Sequence, residues 1–203
     1  MFSKFFKSLS PSKKIAFTAV LLALSVVANT VIDFDPNPNN KITITYFVCF
    51  MSAYLLGAVP AFAVAFVGDF IGWLIMPDGM YWLYGLTLGI FAFITGVFLH
   101  CLPLKGGKSI YIKSIIALVA GYVAVTLFLN TIVNYTYVWL FVWNGELKKT
   151  FFVYIAASII PRLGLQTAVY AGNIALCFAV IPVFERLLPR LTKKKEREPD
   201  EEE

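Results

Sequence analysis

The chain has 203 residues, 59% of them apolar and 14% charged, with a formal net charge of +5. A soluble domain of this length would carry that much apolar material as large exposed patches, so the composition argues against an ordinary water-soluble enzyme or binding module. The basic residues sit at the ends of apolar runs, which reads as membrane-flanking charge and not as a nucleic-acid surface. A backbone in lipid must satisfy its own hydrogen bonds, leaving helices or a closed barrel. The apolar runs are continuous and not alternating, which favours helices.

In chain order, residues 1–14 are basic and aromatic, with Phe2, Phe5 and Phe6 among Lys4, Lys7, Lys13 and Lys14. This composition suits an interfacial amphipathic helix. A first span is expected over 15–32. Segment 33–41 (DFDPNPNNK) is too polar and proline-rich to span and is expected to be a loop. The apolar stretch 42–77 is too long for one span; Gly57-Ala58-Val59-Pro60 divides it into a short helix and a third span. Pro77-Asp78-Gly79 ends that span, and a fourth is expected over 81–102. Residues 104–113 form a basic loop containing Lys105, Lys108 and Lys113. A fifth span is expected over 114–135, followed by an aromatic and then polar interfacial loop to 150. A last span starts at Phe151 and ends before Arg186, with Pro161 and Pro182 as candidate kinks. Residues 1–188 thus form one transmembrane domain, and 189–203 read as a disordered charged tail.

The expected fold is therefore an all-α membrane protein of six transmembrane helices. Lysine-rich ends and a lysine-rich fourth-to-fifth loop place both the N- and C-termini on the cytoplasmic side. Cys49, Cys101 and Cys177 lie far apart in apolar segments, a pattern of packing residues and not of a metal site. His100, near the inner end of the fourth span, reads as interfacial. No HExxH, GxSxG, paired-carboxylate or phosphate-loop pattern is present, so neither catalysis nor a bound metal or cofactor is expected. With no nucleotide motor of its own, active transport would draw on another subunit or a gradient.

Two charges interrupt the spans. Asp69 lies in the third and Arg162 in the sixth, about 12 and 16 Å below the outer face at ~1.5 Å per helical residue. An ionised group in the bilayer costs several kcal/mol, on the order of 3, unless paired or hydrated. Two readings fit: an ion pair holding two helices together, or side chains lining a ligand cavity. Arg162 would suit an anionic ligand, because its planar fork matches a carboxylate. Asn130, Thr131, Asn134, Gln166, Thr167 and Asn173 share that outer half. Trp73, Tyr81, Trp82, Tyr84, Trp139 and Trp143 gather near the outer helix ends, where an interfacial aromatic belt and a stacking surface for a planar ligand are both open. In the first span Ala16, Ala19 and Ala23 leave room for a close helix approach, either within the bundle or against a second membrane subunit.

Taken together, Ala19-xxx-Ala23, Leu56-Gly57-Ala58-Val59-Pro60, Gly68-Asp69, Pro77-Asp78-Gly79 and Tyr81-Trp82 resemble the substrate-binding S components of energy-coupling-factor (ECF) vitamin transporters. The stretch 44–96 and the pair Pro161-Arg162 look most like the folate branch, although the glycine–proline turn is longer here. The resemblance implies six helices around a vitamin site near the outer face, capped by the first, third and fifth loops. It also implies a coupling transmembrane subunit, docked at the alanines, and two ATPase subunits. On this reading the chain captures a folate-like vitamin and catalyses nothing. Other water-soluble vitamins such as riboflavin, and a stand-alone secondary transporter, are the alternatives.

Overall fold

The computed structural model describes residues 1–31, 33–37, 40–77, 80–104, 108–146 and 148–192, with the backbone alone for 33–37, 40–41 and 192. Asp78 and Gly79, Lys105 and residues 193–203 of the expected tail lie outside the described residues.

A short helix α1 (Lys4–Ser8) precedes α2 (Pro11–Thr30). Proline at the first position of α2 costs nothing there, because that N–H has no helical partner in any case. A hairpin of β1 (Asp33–Asn37) and β2 (Asn40–Thr43) follows, then α3 (Thr45–Leu56), α4 (Ala58–Ile75) and α5 (Tyr84–Cys101). A continuous 34-residue helical rod covers Ser109–Val142. It consists of α6 (Ser109–Gly121), a π-helical stretch Tyr122–Leu129, α7 (Asn130–Tyr137) and a second π-helical stretch Val138–Val142. The last helix, α8 (Phe151–Thr192), has 42 residues.

Five of the described helices are long and apolar enough to cross a bilayer, and α3 makes a sixth apolar helix of 12 residues. At ~1.5 Å per residue α3 is about 18 Å long, short of the ~30 Å hydrocarbon layer. It tolerates that length because protein surrounds it: nine of its twelve residues are buried. Tyr46, Cys49, Phe50 and Ala53 of α3 form the core with Ala61 and Ala65 of α4, Phe91 and Ala92 of α5, and Tyr170, Cys177 and Ile181 of α8. The two ends of the described chain lie together, since Phe5 and Phe6 of α1 pack in one cluster with Phe184 and Leu188 of α8.

The α3–α4 break falls at Gly57, whose φ of +99° suits glycine. No Cβ fits there, because Met1 O and Ser3 N would lie 2.8 and 2.5 Å from it. Residues 1–9 therefore fold back across this turn. Ser3 N donates to Leu56 O at 3.0 Å and the Ser3 hydroxyl donates to Leu55 O. These bonds satisfy terminal carbonyls that α3 cannot satisfy itself.

The structure corrects three expected boundaries. Segment 33–41 is not simply a loop: its backbone pairs antiparallel into 40–43, with Asp33 opposite Thr43 and Phe34 opposite Ile42. Pro36 is accommodated because a two-stranded ribbon has only edges, and the register is irregular between Phe34 and Asn37. The fifth span does not stop at Tyr135 but continues to Val142, ending at Asn144 and Gly145, both with positive φ. The last helix does not end before Arg186 but runs to Thr192, with Pro161, Pro182 and Pro189 inside it.

Candidate functional site

The helical repeat of α8 sets one stripe of polar side chains against the bundle. Ser158, Arg162, Gln166, Tyr170 and Asn173, spaced four, four, four and three apart, are all buried, with Arg162 only 7% exposed. Residues at this spacing share a helix face. Apolar residues would suit a core at lower cost, so five buried polar groups in succession inside a membrane bundle make this face the candidate site.

Around Arg162 the other elements supply acceptors and rings. Arg162 Nη1 donates to Thr131 Oγ1 on α7 at 2.9 Å. Tyr46, Tyr84 and Tyr154 lie within its electrostatic reach. Asn134 bridges two of these rings: Tyr84 OH donates to its Oδ1 at 2.9 Å, and its Nδ2 donates to Tyr154 OH at 2.8 Å. One turn earlier on α7, Asn130 carries a buried Oδ1 with no hydrogen-bond partner among the described residues. Gln166 is buried on the facing side of α8. The expected residues Arg162, Tyr84, Asn130, Asn134 and Gln166 thus occupy the region between α5, α7 and α8.

Asp69 and its companions form a neighbouring group on α4. Tyr81 OH donates to Asp69 Oδ2 at 3.3 Å, and the Tyr81 ring packs 5.2 Å from the Trp73 ring, centroid to centroid. The backbone of Gly85 closes against this pair; a Cβ there would collide with Tyr81 OH and approach Asp69 Oδ2 at 2.9 Å. Trp82 reaches the rod instead, donating from Nε1 to Thr136 Oγ1 at 3.1 Å and packing edge-on to Phe141.

Below Arg162 the rod contributes through its first π-helical stretch. The wider turns of such a stretch shift side-chain phase along a helix, and they recur at functional sites. Here Thr126 is buried and bonds Tyr170 OH at 2.7 Å and Tyr46 OH at 3.5 Å. The Tyr46 and Tyr170 rings pack tilted at 33°, their centroids 4.4 Å apart, with Tyr122 4.6 Å from Tyr170. Asn173 then ties this floor to the outer hairpin: it accepts from Phe47 N and donates to Thr43 O, both at 2.9 Å.

Sequence reasoning missed Tyr46, Thr126, Tyr154 and Tyr170. Tyr170 was within reach, standing four residues after Gln166 on the same face. Two apolar grooves lie away from this polar stripe. One, of about 300 Å³, is lined by Val59, Phe62, Ile90 and Phe93. The other, of about 400 Å³, runs between α1 and α2. Ala16, Ala19 and Ala23 are exposed on α2, so the bundle itself does not use them for packing. Among the described residues no group of three or more His, Cys, Asp or Glu side chains is placed to hold a metal ion.

A family model described as the S component of the ECF-type riboflavin transporter matches residues 10–163. Six solved chains match the fold, among them one described as a crystal structure of FolT bound with folic acid. It superposes with a TM-score of 0.63 at 20% sequence identity, covering 83% of this chain and 92% of that one. No curated protein sequence matches.

Proposed function

The chain belongs to the S components of ECF-type riboflavin transporters, and from that membership we propose that it captures an anionic, ring-bearing vitamin, folate or a close analogue, between α5, α7 and α8. The observation that carries this reading is the buried cation. Arg162 is held by Thr131 inside the bundle and ringed by Tyr46, Tyr84 and Tyr154. A guanidinium in that setting gives a carboxylate two parallel N–H donors in a low-dielectric site. The aromatic wall of Tyr46, Tyr84 and Tyr154 offers faces to a planar ring. Asn130, with an unpartnered buried acceptor, takes a ring N–H or amino group. Asp69 with Tyr81 and Trp73 lies at the edge of the α4–α5 face and completes the outer wall. The fold shared with the folic-acid-bound FolT structure is compatible with a ligand of that shape.

Capture takes place at the extracellular face of a cell membrane, the bacterial plasma membrane. The energy comes from two ATPase subunits through a coupling membrane subunit that docks on Ala16, Ala19 and Ala23. A second reading, riboflavin as ligand, is favoured by the description of the matching family. Riboflavin is uncharged, so it would leave Arg162 without an anionic counterpart from the ligand.

Mass spectrometry of small molecules released from gently purified protein tests both readings together. Folate or a reduced folate supports the first, riboflavin replaces it with the second, and ATP-independent uptake into vesicles containing this chain alone overturns the S-component role.

A further inference from the structure

The first 32 residues contain Lys4, Lys7, Lys13 and Lys14 and no acidic residue. Behind this charge runs the groove of about 400 Å³ lined by Phe6, Lys14, Ile15, Thr18, Ala19 and Leu22. Its mouth is cationic and its floor apolar. Lys14 Nζ stands 5.8 Å from the centre of the Phe6 ring, which holds the ammonium at the opening. Thr18 spends its donor on the Lys14 carbonyl at 2.8 Å, so it adds little polarity to the floor. Ile15 is 72% exposed and Phe2 46% exposed, continuing the apolar surface beside the lysines. The nearby end of α8 carries Arg186 and Arg190 against Glu185, so it does not cancel the positive field.

We propose that the groove between α1 and α2 binds one acidic phospholipid, its phosphate at Lys14 and an acyl chain laid along Ile15, Ala19 and Leu22. The occupant must be anionic at one end and apolar along about two turns of α2. A free phosphate or an acidic peptide meets only the first condition, and a zwitterionic lipid meets only the second. The groove shares Ala19 with the alanine docking face, whereas Ala16 and Ala23 stand, at ~100° per residue, about a third of a turn around α2 from Ile15, Thr18 and Leu22. The site holds whether or not the vitamin reading does.

The test uses the full chain reconstituted in nanodiscs of equal phosphatidylglycerol and phosphatidylcholine, released into the gas phase, with retained lipids counted by native mass spectrometry. Wild type is expected to keep one phosphatidylglycerol in about fivefold preference over phosphatidylcholine, the effect of one lysine near the surface. Lys14→Gln brings the two lipids to parity, whereas Lys13→Gln, on the opposite side of α2, keeps the preference. Ala19→Phe fills the groove and loses the retained lipid, whereas Ala16→Phe keeps it. Equal retention of both lipids by wild type, an unchanged preference in Lys14→Gln, or full retention in a folded Ala19→Phe protein each overturns the site. If Ala19→Phe does not fold, Lys14→Gln decides.

Discussion

Arg162 Nη1 donates to Thr131 Oγ1 at 2.9 Å, and the same hydroxyl donates to the Leu127 carbonyl at 2.6 Å. The threonine proton is thereby committed to the backbone, and its oxygen is turned to the guanidinium. A residue on α7 fixes the direction of a cation on α8, which leaves the fork aimed and not free to rotate.

The first prediction concerns this pair. Arg162→Ala is expected to weaken folate binding by about 30-fold or more, the effect of removing one partner of a buried charged contact. Arg162→Lys keeps the charge but loses the planar fork, and recovers only part of that loss. Titration calorimetry on folded variants measures it. Full affinity in Arg162→Ala removes this residue from the ligand site. A neutral ligand such as riboflavin would show little difference between the two variants.

A second prediction follows from Asn173, which serves two backbone groups at once. Asn173→Ala takes the side-chain donor from the Thr43 carbonyl, at about 1–3 kcal/mol, and leaves the Phe47 N–H with its bond to Ile44 O at 3.0 Å alone. The melting temperature falls and amide exchange at Phe47 accelerates. Asn173→Asp separates the two roles. It still accepts from Phe47 N and loses the donor to Thr43, so protection at Phe47 survives while the hairpin base loosens. Equal loss of protection in both variants would count against this division of labour.

Much of the bundle was legible before any coordinates, because the membrane makes apolar length decisive. The break at Gly57 was readable because glycine and proline punctuate an otherwise uniform apolar run. The hairpin at 33–43 was not, since a ribbon with Pro36 in one strand carries neither alternation nor β-branched enrichment. The rod was cut short at Tyr135 because aromatic residues at a membrane interface fit a loop and a helix equally well. Arg162 stood out as a charge in an apolar run. Tyr46 and Thr126 did not: tyrosine and threonine are unremarkable in a span, and only the π-helical stretch and a contact 80 residues apart in sequence bring them together.

The third prediction addresses α2. Ala16, Ala19 and Ala23 are exposed, and in lipid a small-residue face gains its stability by letting another backbone approach. Replacing Ala16 and Ala23 by Leu is expected to reduce recovery of the coupling subunit from co-expressing membranes by about tenfold, because the larger side chains hold the two helix backbones apart. Vitamin affinity of the isolated chain should not change, since neither residue touches α7 or the polar stripe of α8. Undiminished recovery would move the docking surface elsewhere.

The last prediction sets two glycines against each other. Gly96 on α5 faces the start of α4, where an added Cβ would lie 2.5 Å from Ala58 Cα and 2.7 Å from Ala58 N. Those are backbone atoms, so a rotamer change cannot relieve the contact and the helices must separate. Gly96→Ala should therefore destabilise the protein by about 1–3 kcal/mol, as overpacking does in cores. Gly164 on α8 has nothing among the described residues within 4 Å of an added Cβ. There the same substitution stiffens a helix without meeting a neighbour, and a gain of up to about 1 kcal/mol is expected. Thermal melting of the two variants in one detergent should move in opposite directions. A stable Gly96→Ala protein would mean that α4 and α5 are less closely seated than their backbones indicate. A destabilised Gly164→Ala protein would mean that this face of α8 is already occupied when the chain is purified.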